Sequence, residues 1–74
     1  MKPQSAAVLR LLEDHPEGVT QHDAIRDVGC YRLAARIADL RADGVRIEAE
    51  SVTFDGHTFA RYRLALDAQR SFGL

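Results

Sequence analysis

At Gly44 the spacing of the apolar residues changes, and the change divides the chain into a helical front and a hairpin back. Before it, apolar residues recur at helical spacing: Val8, Leu9 and Leu12, then Ala24, Ile25 and Val28, then Leu33, Ile37 and Leu40. After it, Val45, Ile47 and Ala49 alternate with Arg46, Glu48 and Glu50, the pattern of a half-buried strand continuing towards Thr53. Asp55-Gly56 is a two-residue hairpin signal, because both turn positions need positive φ. That turn sets a register: Phe54 opposite His57, Val52 opposite Phe59, Glu50 opposite Arg61, Ala49 opposite Tyr62, Glu48 opposite Arg63, Ile47 opposite Leu64 and Val45 opposite Leu66. Apolar partners then share one face and two opposite-charge pairs the other, an arrangement that a one-residue slip would spoil. A lone pair of strands is not stable in water, so the hairpin must pack on the helices.

The punctuation of the front half gives three helices. Pro3 suits the first helical turn, with Gln4 or Ser5 near the cap, and the helix runs to about Asp14 with Leu11 on its flank and Arg10 and Glu13 in water. His15-Pro16-Glu17-Gly18 stops it, and Val19 can add a very short strand. Thr20 with Asp23 three residues on is a capping-box variant opening a second helix, which ends at Val28 with Gly29 in the left-handed region. A third helix runs from Cys30 or Tyr31 to about Asp43 and stops at Gly44. The expected core is Val8, Leu9, Leu12, Ile25, Val28, Leu33, Ile37, Leu40, Val45, Ile47, Tyr62, Leu64 and Leu66. Three helices followed by a two-stranded β-hairpin wing is an α+β winged helix-turn-helix order, with residues 1–66 as the domain and 67–74 as a tail.

Composition narrows the function. Hydrophobic residues at 46% and charged residues at 28% fit a folded domain. A chain of 74 residues buries too little to build a deep cleft, and no serine, cysteine or carboxylate has a base placed beside it, so no catalytic residues and no enzyme are expected. One cysteine forms no internal disulfide, and no apolar run resembles a membrane span or signal peptide, so the expectation is a cytoplasmic protein with no membrane contact. His15, His22, His57 and Cys30 lack ligand spacing, so no metal and no cofactor are expected. The net charge of −1 lacks the basic excess of a non-specific nucleic-acid binder, so any DNA contact must come from a local patch.

The patch to examine is the third helix. A short helix, a glycine break and a second helix form a helix-turn-helix, and the second carries Tyr31, Arg32 and Arg36 on the face its core positions leave free. Those residue types suit a helix in a DNA major groove, and the small Ala35 between the arginines permits close approach. The competing reading pairs Arg36 with Asp39 on a merely soluble face. In the hairpin, Arg61 and Arg63 suit a flanking phosphate or, equally, Glu50 and Glu48 across the strands. His57 with Thr58 at the tip is the better wing candidate, because no carboxylate stands across from it. Cys30, just after the turn glycine, is expected to pack under the helix pair rather than serve as a thiolate.

Along Gly29-Cys30-Tyr31-Arg32-Leu33-Ala34-Ala35-Arg36-Ile37-Ala38-Asp39-Leu40-Arg41, with Gly44 following and Phe59-Ala60-Arg61-Tyr62 in the hairpin, the chain resembles the small helix-turn-helix domain proteins of phages and prophages. More distantly it is similar to the winged helices of phage excisionases and repressors. The resemblance extends from the first helix to about Leu66 and implies a winged-helix fold that binds double-stranded DNA as a transcription regulator or excisionase-like factor. In that family the Arg32–Ile37 run forms the second helix of the motif. Asp55 at the tip and the low net charge depart from a strongly basic wing. The alternative class is a protein-interaction module, since Asp39, Asp43, Glu48 and Glu50 offset the cations that phosphate binding requires. A single winged helix covers only about 600–1,000 Å² of DNA, so a second copy or a protein partner is expected, through Val52, Phe59, Phe72 and Leu74.

Overall fold

Pro3 opens the first helix, α1 (Pro3–Asp14), at a position where its missing N–H costs nothing. The computed structural model describes residues 2–65. After α1 come β1 (Val19–Thr20), α2 (Gln21–Val28), α3 (Leu33–Ala42), β2 (Ile47–Phe54) and β3 (His57–Leu64). The cap of α1 differs from expectation: Lys2 occupies the N-cap without a side-chain hydrogen bond, and Ser5 is 1% exposed. Ser5, Val8 and Leu12 share the inward face at spacings three and four, which turns Ser5 away from the helix end, and Leu11 beside them is buried as well.

The sheet has three antiparallel strands in the order β1-β3-β2, where a two-stranded hairpin was expected. Val19 and Thr20 pair with Tyr62 and Arg61 and supply the third strand. The β2–β3 register agrees at all six expected pairs inside the described residues, from Phe54–His57 to Ile47–Leu64. Asp55 (φ 52°) and Gly56 (φ 77°) are both left-handed, as a tight hairpin turn requires. The expected Val45–Leu66 pair, the core place of Leu66, the boundary at residues 66–67 and the tail residues Phe72 and Leu74 lie outside the described residues.

Val8, Leu12, Val19, Ala24, Cys30, Leu33, Ile37 and Leu40 are fully buried, with Leu11, Ile47 and Leu64 closing the core and Leu9, Val28, Val45 and Tyr62 packed against it. Cys30 takes its expected place under the helix pair. Ile25 does not: it is 38% exposed. The inward face of α2 is Gln21, Ala24 and Val28, spaced three and four apart, which rotates Ile25 about 100° off that face. Helix α3 starts two to three residues later than expected, so Tyr31 and Arg32 belong to the turn and not to the helix body.

Candidate nucleic-acid interface

The α2–α3 turn is built around the side chain of Gln21, the first residue of α2. Thr20 caps α2, accepting the Asp23 N–H on its hydroxyl while Asp23 accepts the Thr20 N–H at 3.0 Å. At the other end Gly29 (φ 66°) ends the helix, and the Gly29 and Cys30 N–H groups return to the carbonyls of Ile25 and Ala24. Gln21 then spans the turn: its Nε2 donates to the Cys30 carbonyl at 2.7 Å, and its Oε1 accepts the Leu33 N–H at 2.9 Å. Arg32, at the N-cap of α3, makes no side-chain capping bond, so Gln21 satisfies a donor that the cap residue leaves open.

This turn presents Tyr31, 74% exposed, and Arg32 at the leading end of α3. Behind them Leu33, Ile37 and Leu40 face the core, Ala34 and Ala38 face water, and Ala35 is half-buried. Arg36 does not join Tyr31 and Arg32. Its side chain is 21% exposed, Nη1 donates to Gln4 Oε1 of α1 at 3.2 Å, and Nε lies 3.0 Å from Asp39 Oδ2. The Nε contact is an ion pair by distance and not an aligned hydrogen bond. Asp39 also accepts the buried Ser5 hydroxyl at 3.4 Å and lies 3.9 Å from Lys2 Nζ. Arg36 and Asp39 therefore tie α3 to the first turn of α1.

In the hairpin the arginines are engaged. Glu50 Oε1 accepts Arg61 Nε at 2.9 Å and Nη2 at 2.8 Å, and Arg63 donates to Glu50 at 3.3 Å and to Glu48 at 3.3 Å. The Arg61 hydrogen bonds hold the Glu50 carboxyl below the usual glutamate range. Gly18 (φ 118°) is packed against the same arginine, since a Cβ there would lie 2.6 Å from Arg61 Cγ. Arg26 is likewise occupied, by Asp27 at 3.0 Å and Asp23 at 3.2 Å. Among the described residues Arg10 and Arg32 are the arginines with no hydrogen-bond or ion-pair partner. His57 and Thr58 are exposed at the tip, with the Thr58 and Thr53 hydroxyls 3.1 Å apart.

On the face of the hairpin that carries Arg61, the side chains of Val52, Phe54 and Phe59 line a groove of about 800 Å³, walled on the far side by Gly18 and Thr20–Asp23. Val52 and Phe59 were legible as an apolar cross-strand pair. The helical wall was not, because it depends on where β1 delivers the start of α2. No group of three or more His, Cys, Asp or Glu among the described residues is placed to hold a metal ion, and no helix among them is long and apolar enough to cross a membrane.

A family model described as a winged helix-turn-helix domain matches residues 3–66. No curated protein and no solved structure matches the chain.

Proposed function

The chain belongs to the winged helix-turn-helix domain family, and on that premise we propose that it is a DNA-binding protein and not an enzyme, with the leading end of α3 entering the major groove of double-stranded DNA. The observation that carries this reading is the pairing of an unpartnered Arg32 with the exposed Tyr31 at that end, ahead of the small side chains Ala34, Ala35 and Ala38. An arginine there suits the two acceptors on a guanine edge or a phosphate, and short side chains behind it let the helix backbone approach base edges and thymine methyls. Arg36 acts as a strut behind this surface. Arg61 is held by Glu50, so the hairpin's share of the DNA contact falls to His57 and Thr58.

With so few unpaired cations among the described residues, this surface neutralises few phosphates, and its affinity for non-specific duplex is low and salt-sensitive. A cytoplasmic phage or prophage regulator or excisionase-like factor acting with a second protein molecule is the setting this economy fits. The second reading, a winged helix that binds a protein instead of DNA, is favoured by one observation, the apolar groove at Val52, Phe54 and Phe59.

Amide chemical-shift mapping separates the two. Titrating the labelled protein with a mixed-sequence duplex at low salt should move the amides of residues 30–38 most. Shifts confined to the groove, or none at all, would oppose DNA binding through α3.

A further inference from the structure

We propose that Gln21 is a positioning residue for DNA recognition: its side-chain amide, inserted between the Cys30 carbonyl and the Leu33 N–H, holds the intervening Tyr31 and Arg32 in the pose that meets the major groove. The inference rests on the DNA-binding reading and adds to it a residue that acts on the DNA through Arg32.

In a closed four-residue turn the first carbonyl accepts the N–H of the fourth residue directly. Residues 30–33 do not close in this way. The Cys30 carbonyl accepts Gln21 Nε2 at 2.7 Å, and the Leu33 N–H donates to Gln21 Oε1 at 2.9 Å. The amide thus stands where the turn's own hydrogen bond would form, and it sets the distance between the two ends. Tyr31 and Arg32, the central residues of this turn, are the two on which the DNA reading depends.

Both ends of the turn are anchored. The Cys30 side chain is fully buried and its N–H bonds the Ala24 carbonyl at 3.1 Å, while Leu33 is buried and opens α3. Between them Tyr31 is exposed, and no hydrogen bond or ion pair among the described residues holds the Arg32 side chain. The Arg32 carbonyl joins the first turn of α3 through the Arg36 N–H at 3.2 Å, but this bond leaves the Tyr31–Arg32 peptide free to rotate. The Arg32 backbone, at φ −129° and ψ 61°, lies outside the main helical and extended regions, so local preference does not select it. The Gln21 bridge is then the contact that fixes the path of the pair. Without it the turn is free to close on a direct bond between its ends, which redirects both side chains. An arginine offers paired donors to a guanine edge or a phosphate only in a narrow range of orientations, so a turn that samples several poses lowers the fraction of molecules ready to bind.

The test is a double-mutant cycle in duplex affinity, at low salt and at a temperature where circular dichroism shows each variant fully folded. The proteins are wild type, Arg32→Ala, Gln21→Met and the double variant, and the probe is a mixed-sequence duplex. With Gln21 in place, Arg32→Ala is expected to lower affinity about tenfold or more; in the Gln21→Met background the same substitution is expected to cost less than about threefold, because the arginine is no longer aimed. A glutamine that only stabilised the fold would leave the Arg32 effect unchanged in fully folded protein. Gln21→Asn, one methylene too short to make both bonds, takes the place of Gln21→Met if that variant does not fold, and the same coupling is expected. Equal losses from Arg32→Ala in the two backgrounds would overturn the inference and leave the DNA reading standing. A wild type that binds no duplex, or binds it independently of Arg32, would overturn both.

Discussion

The side chain of Gln21 takes the Leu33 N–H at 2.9 Å, so the first residue of α2 caps the first residue of α3. The same amide holds the Cys30 carbonyl at 2.7 Å, and the path of the chain through Tyr31 and Arg32 is fixed between these two bonds. The isosteric Gln21→Met keeps the volume and removes both. It should cost about 1–3 kcal/mol, since a half-buried carbonyl and a helix N–H lose their partner. Thermal unfolding would show this as a fall in Tm of about 4–8 °C per kcal/mol. An unchanged Tm would mean that water replaces the amide without loss.

Arg32 and Arg36, four residues apart, should separate cleanly by stability. Arg36→Ala removes the bond to Gln4 and the pair with Asp39, leaving Asp39 beside the buried Ser5 hydroxyl, and should cost about 1 kcal/mol. Arg32→Ala removes no hydrogen bond or ion pair among the described residues and should stay within about 0.5 kcal/mol of wild type in urea denaturation. Equal effects would contradict the assignment of Arg36 to the α1–α3 joint.

The hairpin cluster predicts a pH dependence. Arg61, and more weakly Arg63, lower the folded-state pKa of Glu50 below its unfolded value. The stability this contributes is fully present above the ordinary glutamate range and is lost as pH falls through the depressed pKa. Asp27, bonded to Arg26, and Asp23 are shifted in the same direction; for Asp23, burial opposes the shift and the Thr20 hydrogen bonds outweigh it. Tm should therefore decline on acidification below about pH 4, and Glu50→Gln should flatten the decline. A variant whose acid limb matches wild type would show that the cluster is energetically idle.

Much of this architecture is legible in the sequence because local chemistry and tertiary structure agree. Thr20 and Asp23 form their capping box, Gly29 takes the left-handed conformation, and the Asp55-Gly56 turn fixes every β2–β3 pair inside the described residues. The departures all arise from contacts distant in sequence. Ile25 faces water because Gln21 is drawn to the start of α3 and Ala24 into the core, and α3 begins at Leu33 because its cap comes from twelve residues upstream. At the candidate site, residue type alone grouped Tyr31, Arg32 and Arg36. The pair with Asp39 stood as the competing reading; only the place of α1 shows that Gln4 also holds Arg36 and that Ser5 bonds Asp39. Likewise the Glu50–Arg61 pair was readable from the register, whereas the groove that Phe54 shares with Thr20–Asp23 depends on the third strand.

The central claim, DNA binding through the leading end of α3, is tested most directly by fluorescence anisotropy of a labelled mixed-sequence duplex with wild type and Arg32→Ala, at low and moderate salt. The account predicts that wild type binds at low salt, weakens as salt rises, and loses most of its affinity in the Arg32→Ala variant at unchanged Tm. Absence of binding by wild type even at low salt, or equal binding by a folded Arg32→Ala protein, would contradict it.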